Sequence, residues 1–310
     1  MTLLLRSSVK FQTAIAVLVL FLLTAWGCGT SRVQPHRSGA DENLMRLNRS
    51  ARIAYEYGQL EQAAGLYRQA LDRAFLSDDR KAVVDAQYNL AVCMLGLRSY
   101  DQAQAWVHRA LNELKRDGQN PTADILYLEA AILFRVGKLD RAWQITDQIL
   151  SMPQKPPAAV EGKTHYLRGI IADQRGDTDQ LARELDALAK SSDPGRQADR
   201  KELSGRMAMA EGNWEAAIDA FDHTARLRRE KLDYVEMAQA LALAADACQR
   251  AGKYSAAATR YFRAGRSAVQ QHNHPDALKW LNSAAQNAEQ AGDEPLNQEV
   301  RTYLQTIQPP

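Results

Sequence analysis

The residues whose types and spacing best suit a binding surface in this sequence are three tyrosines. Tyr88, Tyr127 and Tyr166 follow one another at intervals of 39 residues. A series of tyrosines offers large, rigid and amphipathic contact area at a small cost in side-chain entropy. The same regularity also suits three rings that pack between neighbouring structural units. The spacing is equally consistent with a binding surface and with a packing surface.

Residues with the chemistry of a metal or catalytic site are sparse. His272 and His274 stand two residues apart before Pro275, but no third ligand of a metal-binding motif lies nearby, and a polar turn is the more common explanation. The sequence contains no GxSxG, HExxH, phosphate-binding-loop or dinucleotide-binding motif. We therefore predict that the protein is not an enzyme and has no catalytic residue, no metal and no cofactor.

The elements that would position the tyrosines repeat along the chain. Six segments share a Gly or polar turn that is followed five residues later by a small or apolar residue, at intervals near 40 residues. A repeat of this length that does not follow a heptad indicates stacked supersecondary units. The aligned residues are Ala63, Ala103, Ala142, Ala217 and Ala257, with Leu181 in a weaker copy.

Each repeat has the pattern of a helical hairpin. Apolar positions recur at spacings of three and four on both sides of the turn. A second small residue, seven positions before the turn residue, is expected to face the first one across the hairpin, so that the two helices approach closely. These second positions are Ala51, Ala91, Ala130, Gly169, Gly205 and Ala245.

This frame resembles the tetratricopeptide repeat over about residues 44–292. Small residues at the eighth, twentieth and twenty-seventh positions recur in several copies, although the repeats here run near 40 residues rather than 34. The resemblance implies an all-α, right-handed superhelical solenoid of about six to seven hairpins over residues 44–307.

The resemblance also suggests a binding groove. It places the three tyrosines at the fifth repeat position, which lies on the first helix of each hairpin and faces the concave side. Asn89 matches the asparagine with which the family typically binds the backbone of an extended peptide. The predicted peptide groove comprises Tyr88, Asn89, Tyr127, Phe134, Arg135 and Tyr166.

The repeat count at the C-terminal end is ambiguous. The helix that contains Gly265 fits as the second helix of the hairpin with Ala257. It fits equally as the first helix of a further hairpin, with Gly265 at the eighth position and Ala277 at the twentieth.

The first 28 residues differ in composition from the rest. A basic segment, residues 1–10, precedes an uncharged apolar stretch, which is the pattern of a secretory signal. Residues 25–28 then read Ala-Trp-Gly-Cys and resemble a bacterial lipobox, in which a small residue precedes the lipidated cysteine. We predict a lipoprotein-type signal peptide over residues 1–27, lipidation of Cys28, and a flexible linker over residues 28–43.

An uncleaved membrane anchor is the alternative. Residues 11–31 carry no charge, and about 20 apolar residues suffice to cross the hydrocarbon core of a bilayer. Both interpretations place the repeats outside the cytoplasm and beside a membrane. With Gly29 after Cys28, the outer membrane of a Gram-negative cell is favoured, with the repeats in the periplasm.

The balance of charge limits the choice of partner. Removal of residues 1–27 leaves 37 basic and 37 acidic residues, and a neutral chain is a poor match for nucleic acid. We predict a membrane-tethered scaffold or adaptor for protein–protein interactions in the bacterial envelope, in an assembly, wall, pilus or secretion complex. The alternative is an accessory or sensor subunit that binds a small molecule or glycan in the solenoid groove.

Overall fold

The computed structural model describes residues 41–190 and 196–307. Within these ranges the chain forms fourteen α-helices and no strand, which confirms the predicted all-α solenoid. The predicted signal peptide and Cys28 lie outside the described residues, as does the predicted linker up to residue 40. The helices are α1 Glu42–Glu56, α2 Leu60–Leu76, α3 Arg80–Gly96, α4 Tyr100–Arg116, α5 Ala123–Arg135, α6 Leu139–Leu150, α7 Ala158–Arg175, α8 Thr178–Ala189, α9 Gln197–Ala210, α10 Trp214–Glu230, α11 Tyr234–Arg250, α12 Tyr254–Gln270, α13 His274–Ala291 and α14 Glu294–Ile307.

The helices pair into seven hairpins, from α1–α2 to α13–α14, that stack in chain order. Their close crossings follow from the small residues of the repeat. Ala63, Ala142 and the other alanines aligned with them are completely buried, and so is Leu181 in the weaker copy. A Cβ added at Gly205 would lie 2.6 Å from the ring of Phe221, so the first helix of the fifth hairpin approaches the second too closely for any side chain.

The ambiguity around Gly265 has a structural basis. A Cβ added there would lie 2.6 Å from Leu281 of α13, although α12 and α13 belong to consecutive hairpins. The turn between them also contains a left-handed residue, His272, with φ 56°. At this end of the solenoid, helices of consecutive hairpins therefore cross as closely as the two helices of one hairpin. Both alignments of the repeat around Gly265 fit the sequence for this reason.

The fourth hairpin, whose repeat copy is weak, contains a buried ionic cluster. Nε of Arg168 donates to Oε1 of Glu184 over 2.7 Å, and Nδ1 of His165 lies 2.6 Å from Oε2 of Glu184. The Arg168 guanidinium also pairs with Asp147 of α6 and lies 3.8 Å from the ring centre of Trp143. Burial alone would raise the pKa of Glu184, but the hydrogen bonds from His165 and Arg168 outweigh it and hold that pKa below its usual value. This cluster joins α6, α7 and α8.

Two long-range ion pairs bring early and late hairpins together. Arg98, in the turn after α3, lies 2.6 Å from the carboxylate of Asp276 at the start of α13. Arg135, at the end of α5, lies 3.6 Å from the carboxylate of Glu236 near the start of α11. The superhelix thus places the second hairpin in contact with the seventh, and the third in contact with the sixth. These contacts partly enclose the concave side of the superhelix.

Two cysteines lie inside the described solenoid. Cys93 in α3 and Cys248 in α11 are both buried and free. Burial raises the pKa of the Cys93 thiol to about 11. Each behaves as a small apolar packing residue.

Candidate functional site

Tyr88 and Asn89 line a pocket of about 520 Å³ between the first two hairpins. We call it the N-terminal pocket. It is formed by residues of α1 and α3 with one ring from α2. Its lining residues are Met45, Asn48, Arg49, Arg52, Tyr67, Asp85, Tyr88 and Asn89.

The residues that α1 contributes to this pocket were not among the groove residues predicted from the sequence. Asn48 and Arg49 stand 40 residues before Tyr88 and Asn89, so they occupy the same positions of the preceding repeat. Residues at equivalent positions of stacked first helices face the same side of a solenoid. The repeat spacing was the signal that could have identified them.

The N-terminal pocket offers two arginines, one carboxylate (Asp85) and neutral hydrogen-bonding groups. Arg49 has no acidic partner among the described residues, and Arg52 lies 3.8 Å from Glu56 in a pair whose side chains are both exposed. Burial raises the pKa of Tyr88 to about 12, so its hydroxyl is neutral at physiological pH and can donate a hydrogen bond. With the Asn89 amide beside it, the pocket can bind backbone amides and an anionic group.

Tyr127 and Tyr166 do not line this pocket. They face a group of paired charges on α9, α10 and α11, which we call the central charge cluster: Asp199, Glu202, Arg206, Arg228 and Glu236. The Tyr166 hydroxyl donates to Glu202 over 2.6 Å. Burial raises the pKa of Tyr127 to about 12, with a further contribution from Asp199.

The central charge cluster is largely neutralised by internal pairs. Glu202 accepts from Arg206 over 2.8 Å, and Asp199 accepts from Arg228 over 2.5 Å. Burial raises the pKa of Glu236 to about 6, and repulsion from Glu202 adds to the shift.

Phe134 and Arg135 lie beside the same cluster. The guanidinium carbon of Arg135 lies 6.0 Å from the ring centre of Phe134, while its nitrogen pairs with Glu236. The structure therefore divides the six predicted groove residues between the N-terminal pocket and the surroundings of the central charge cluster. Their role in binding a partner stays a prediction.

The two neighbouring histidines take part in a turn. His272 is the left-handed residue of the turn, and Asn273 caps α13, which begins at His274. In residues 41–190 and 196–307, no group of three or more His, Cys, Asp or Glu side chains is placed to hold a metal ion. Over the same residues, no helix is both long and apolar enough to cross a membrane.

The raised pKa of Glu236 predicts a pH-dependent stability difference. The folded protein retains a proton that the unfolded chain releases above its ordinary pKa of 4.5, so this residue's contribution to stability falls as the pH rises through about 6. We expect Glu236→Gln to raise the free energy of unfolding at pH 7.5 by up to about 2 kcal/mol, offset in part by loss of the Arg135 pair. At pH 4.5 the gain should vanish.

Denaturant melts of both proteins across this pH range measure the difference. Glu230→Gln, at the exposed end of α10, is the matched control and should show no such trend. A stability difference between Glu236→Gln and the parent that does not change with pH would contradict the assignment.

Comparison with known proteins defines the fold. No protein-family model matches the sequence, and no curated protein matches it. Among solved structures, the chain is similar to a Rap protein complexed with competence and sporulation factor, at 12% identity and a TM-score of 0.55 over 80% of this chain and 76% of that one. It is also similar to PilW, a type IV pilus biogenesis factor, at 18% identity and a TM-score of 0.52 over 78% of this chain and 100% of that one.

A third similar structure is itself described as containing the repeat. It is a signal-transduction ATPase with a tetratricopeptide repeat sensor from Pyrococcus horikoshii, at 13% identity and a TM-score of 0.51 over 78% of this chain and 36% of that one. Together with the hairpin geometry, these similarities identify a solenoid of the tetratricopeptide-repeat type. At such identities they establish the fold alone.

Proposed function

We propose that this protein is a scaffold that binds an extended segment of a partner protein on its concave side, beginning at the N-terminal pocket. The observation that carries the proposal is the joint presence in one pocket, on equivalent helix faces, of Tyr88, Asn89 and Arg49, which has no acidic partner in the part of the chain that the structure describes. Asn89 offers both a donor and an acceptor to a peptide backbone, Arg49 offers charge, and the Tyr88 ring offers apolar area. No arrangement typical of catalysis accompanies them within the described residues.

Truncation of Tyr88 tests this binding site. We expect Tyr88→Ala to reduce the free energy of binding to the partner by about 1–2 kcal/mol, as for a modest interface hot spot. The melting temperature should change little, because the ring is only partly buried. A pull-down from cross-linked envelopes identifies the partner, and titration of the purified partner measures the effect.

Tyr57→Ala is the control, because Tyr57 is 80% exposed and lies outside the pocket. A loss of about 3–5 kcal/mol of stability in Tyr88→Ala would identify the ring as a packing residue and contradict the proposal. Recovery of a bound small molecule or glycan without a stoichiometric protein would favour the sensor alternative.

We further propose that the scaffold is anchored by lipid at Cys28 and faces the periplasm from the outer membrane. The support is the basic segment, the apolar stretch and the lipobox-like residues 25–28. An anchor at this position would present the solenoid to an envelope assembly, such as a wall, pilus or secretion complex. The fold of PilW, described as a pilus biogenesis factor, is an example of such a solenoid in an assembly role.

Lipid labelling tests the anchor. We expect the parent to incorporate labelled palmitate and to partition with membranes, and Cys28→Ala to do neither. Cys248→Ala, which leaves the predicted lipidation site intact, should label like the parent. Retention of residues 1–27 in the parent would instead support the uncleaved anchor, and label in Cys28→Ala would contradict lipidation at Cys28.

A further inference from the structure

A second pocket, of about 510 Å³, lies near the C-terminal end of the solenoid. We call it the C-terminal pocket. It is an open pocket lined by residues of α11, α12 and α14, and none of the predicted groove residues lines it. It is therefore separate from the N-terminal pocket, and a ligand bound in it is independent of the proposed function.

One side of the C-terminal pocket is apolar. Met237 and Leu241 of α11 line it together with the ring of Tyr303 from α14. The Tyr303 ring packs edge-on against Phe262, with ring centres 5.8 Å apart and planes at 87°. This aromatic contact packs α14 against α12. Met237, Leu241 and Tyr303 together form the apolar floor of the pocket.

The opposite side is a polar stripe on α12. Arg263, Arg266, Ser267 and Gln270 follow one another at the spacings that place residues on one helix face. Both arginines are exposed, and neither forms an ion pair within residues 41–190 and 196–307. The guanidinium carbon of Arg266 lies 5.0 Å from the ring centre of Phe262, so its charge is held beside the apolar floor.

We propose that the C-terminal pocket binds a short acidic segment of a partner protein that carries an aromatic or aliphatic side chain between its carboxylates. Two unpaired guanidiniums at one rim complement carboxylates, which arginine binds in a bidentate manner. The floor of Met237, Leu241 and Tyr303 accepts the apolar side chain. The Ser267 hydroxyl accepts from the Gln271 amide over 2.9 Å and can still donate, so together with the Gln270 amide it suits the backbone of a peptide.

Direct titration with a defined peptide tests this site. The probe is a fluorescent peptide, Gly-Asp-Glu-Phe-Asp-Glu-Gly, added to the full chain, with its lysine-for-acid counterpart as the control ligand. We expect saturable binding of the acidic peptide that weakens as salt rises. The double variant Arg263→Gln, Arg266→Gln should bind it about twofold to thirtyfold more weakly, because two exposed charge pairs are lost.

A matched double variant separates this site from general charge effects. Arg226→Gln with Arg229→Gln removes two exposed arginines at the same helical spacing on α10 and should bind like the parent. All four side chains are exposed, so neither double variant should unfold the protein, and thermal melts check this.

Four outcomes of the peptide titrations would overturn the proposal. They are no saturable binding up to about 1 mM, equal losses in both double variants, equal binding of the lysine peptide, and a loss caused by Arg49→Gln instead, which would place the peptide in the N-terminal pocket. Vesicles of anionic phospholipid provide a further comparison. If vesicle binding depends on Arg263 and Arg266 while peptide binding does not, the surface recognises lipid and the proposal fails.

Discussion

Replacement of Arg168 by methionine is expected to lower the free energy of unfolding by about 3–5 kcal/mol. Methionine keeps most of the apolar length of the side chain but removes the guanidinium that pairs with Glu184. Glu184 is 3% exposed, and its carboxylate would retain only the partly buried His165 and Gln180 as polar partners. The loss measures the cost of leaving a buried charge poorly compensated, not the net value of the ion pair.

A second substitution distinguishes these two quantities. Arg168→Met combined with Glu184→Leu removes both charges, and we expect it to recover most of the stability. Arg141→Met, on the exposed face of α6, is the control and should change stability by less than about 0.5 kcal/mol. Urea denaturation monitored by helical circular dichroism measures all three variants. A double variant no more stable than Arg168→Met would show that the cluster stabilises the hairpin by more than charge compensation.

The second large effect is expected at the crossing of the fifth hairpin. Phe221 is completely buried, and its ring lies against the backbone of Gly205. We expect Phe221→Ala to cost about 3–5 kcal/mol, because it removes a buried ring and leaves a cavity between α9 and α10. Thermal and urea melts measure the loss.

The same crossing offers a compensating change. Gly205→Val alone should destabilise the fold by about 1–3 kcal/mol, since its side chain would overlap the Phe221 ring. Together with Phe221→Ala, the valine side chain would occupy part of the cavity, so the combined loss should be smaller than the sum of the two single losses. Strictly additive losses would contradict the close approach of Gly205 to Phe221.

Much of the fold could be predicted from sequence because its packing is local. The residues that meet at a hairpin crossing, such as Gly205 and Phe221, are only 16 positions apart in the chain. The two helices of every hairpin must approach each other closely, so every copy of the repeat needs small residues at its crossing. These small residues therefore recur in the sequence at the length of the repeat. The weaker copy with Leu181 was also recognised, but the ionic cluster that accompanies it was not, because Arg168 and Glu184 are not among the small residues that recur in each repeat.

The candidate site was predicted only in part. Tyr88 and Asn89 line the same pocket. The repeat length of about 40 residues also predicts that Asn48 and Arg49 lie on the same side of the solenoid as these two residues. Tyr166 was predicted as a groove residue, but the sequence did not show that its hydroxyl donates to Glu202, 36 residues further along the chain. The repeat frame predicts which face a residue occupies, but not which residue of the next hairpin meets it.

The sequence by itself determined the all-α hairpin repeat and the faces on which its residues lie, because those depend on contacts between neighbouring helices. Only the tertiary structure decided how the hairpins curve. Arg98 meets Asp276 across 178 positions, and Arg135 meets Glu236 across 101. Such meetings depend on small rotations that accumulate from hairpin to hairpin. No local pattern encodes their sum, so the enclosed concave side, the central charge cluster and the C-terminal pocket became visible only in three dimensions.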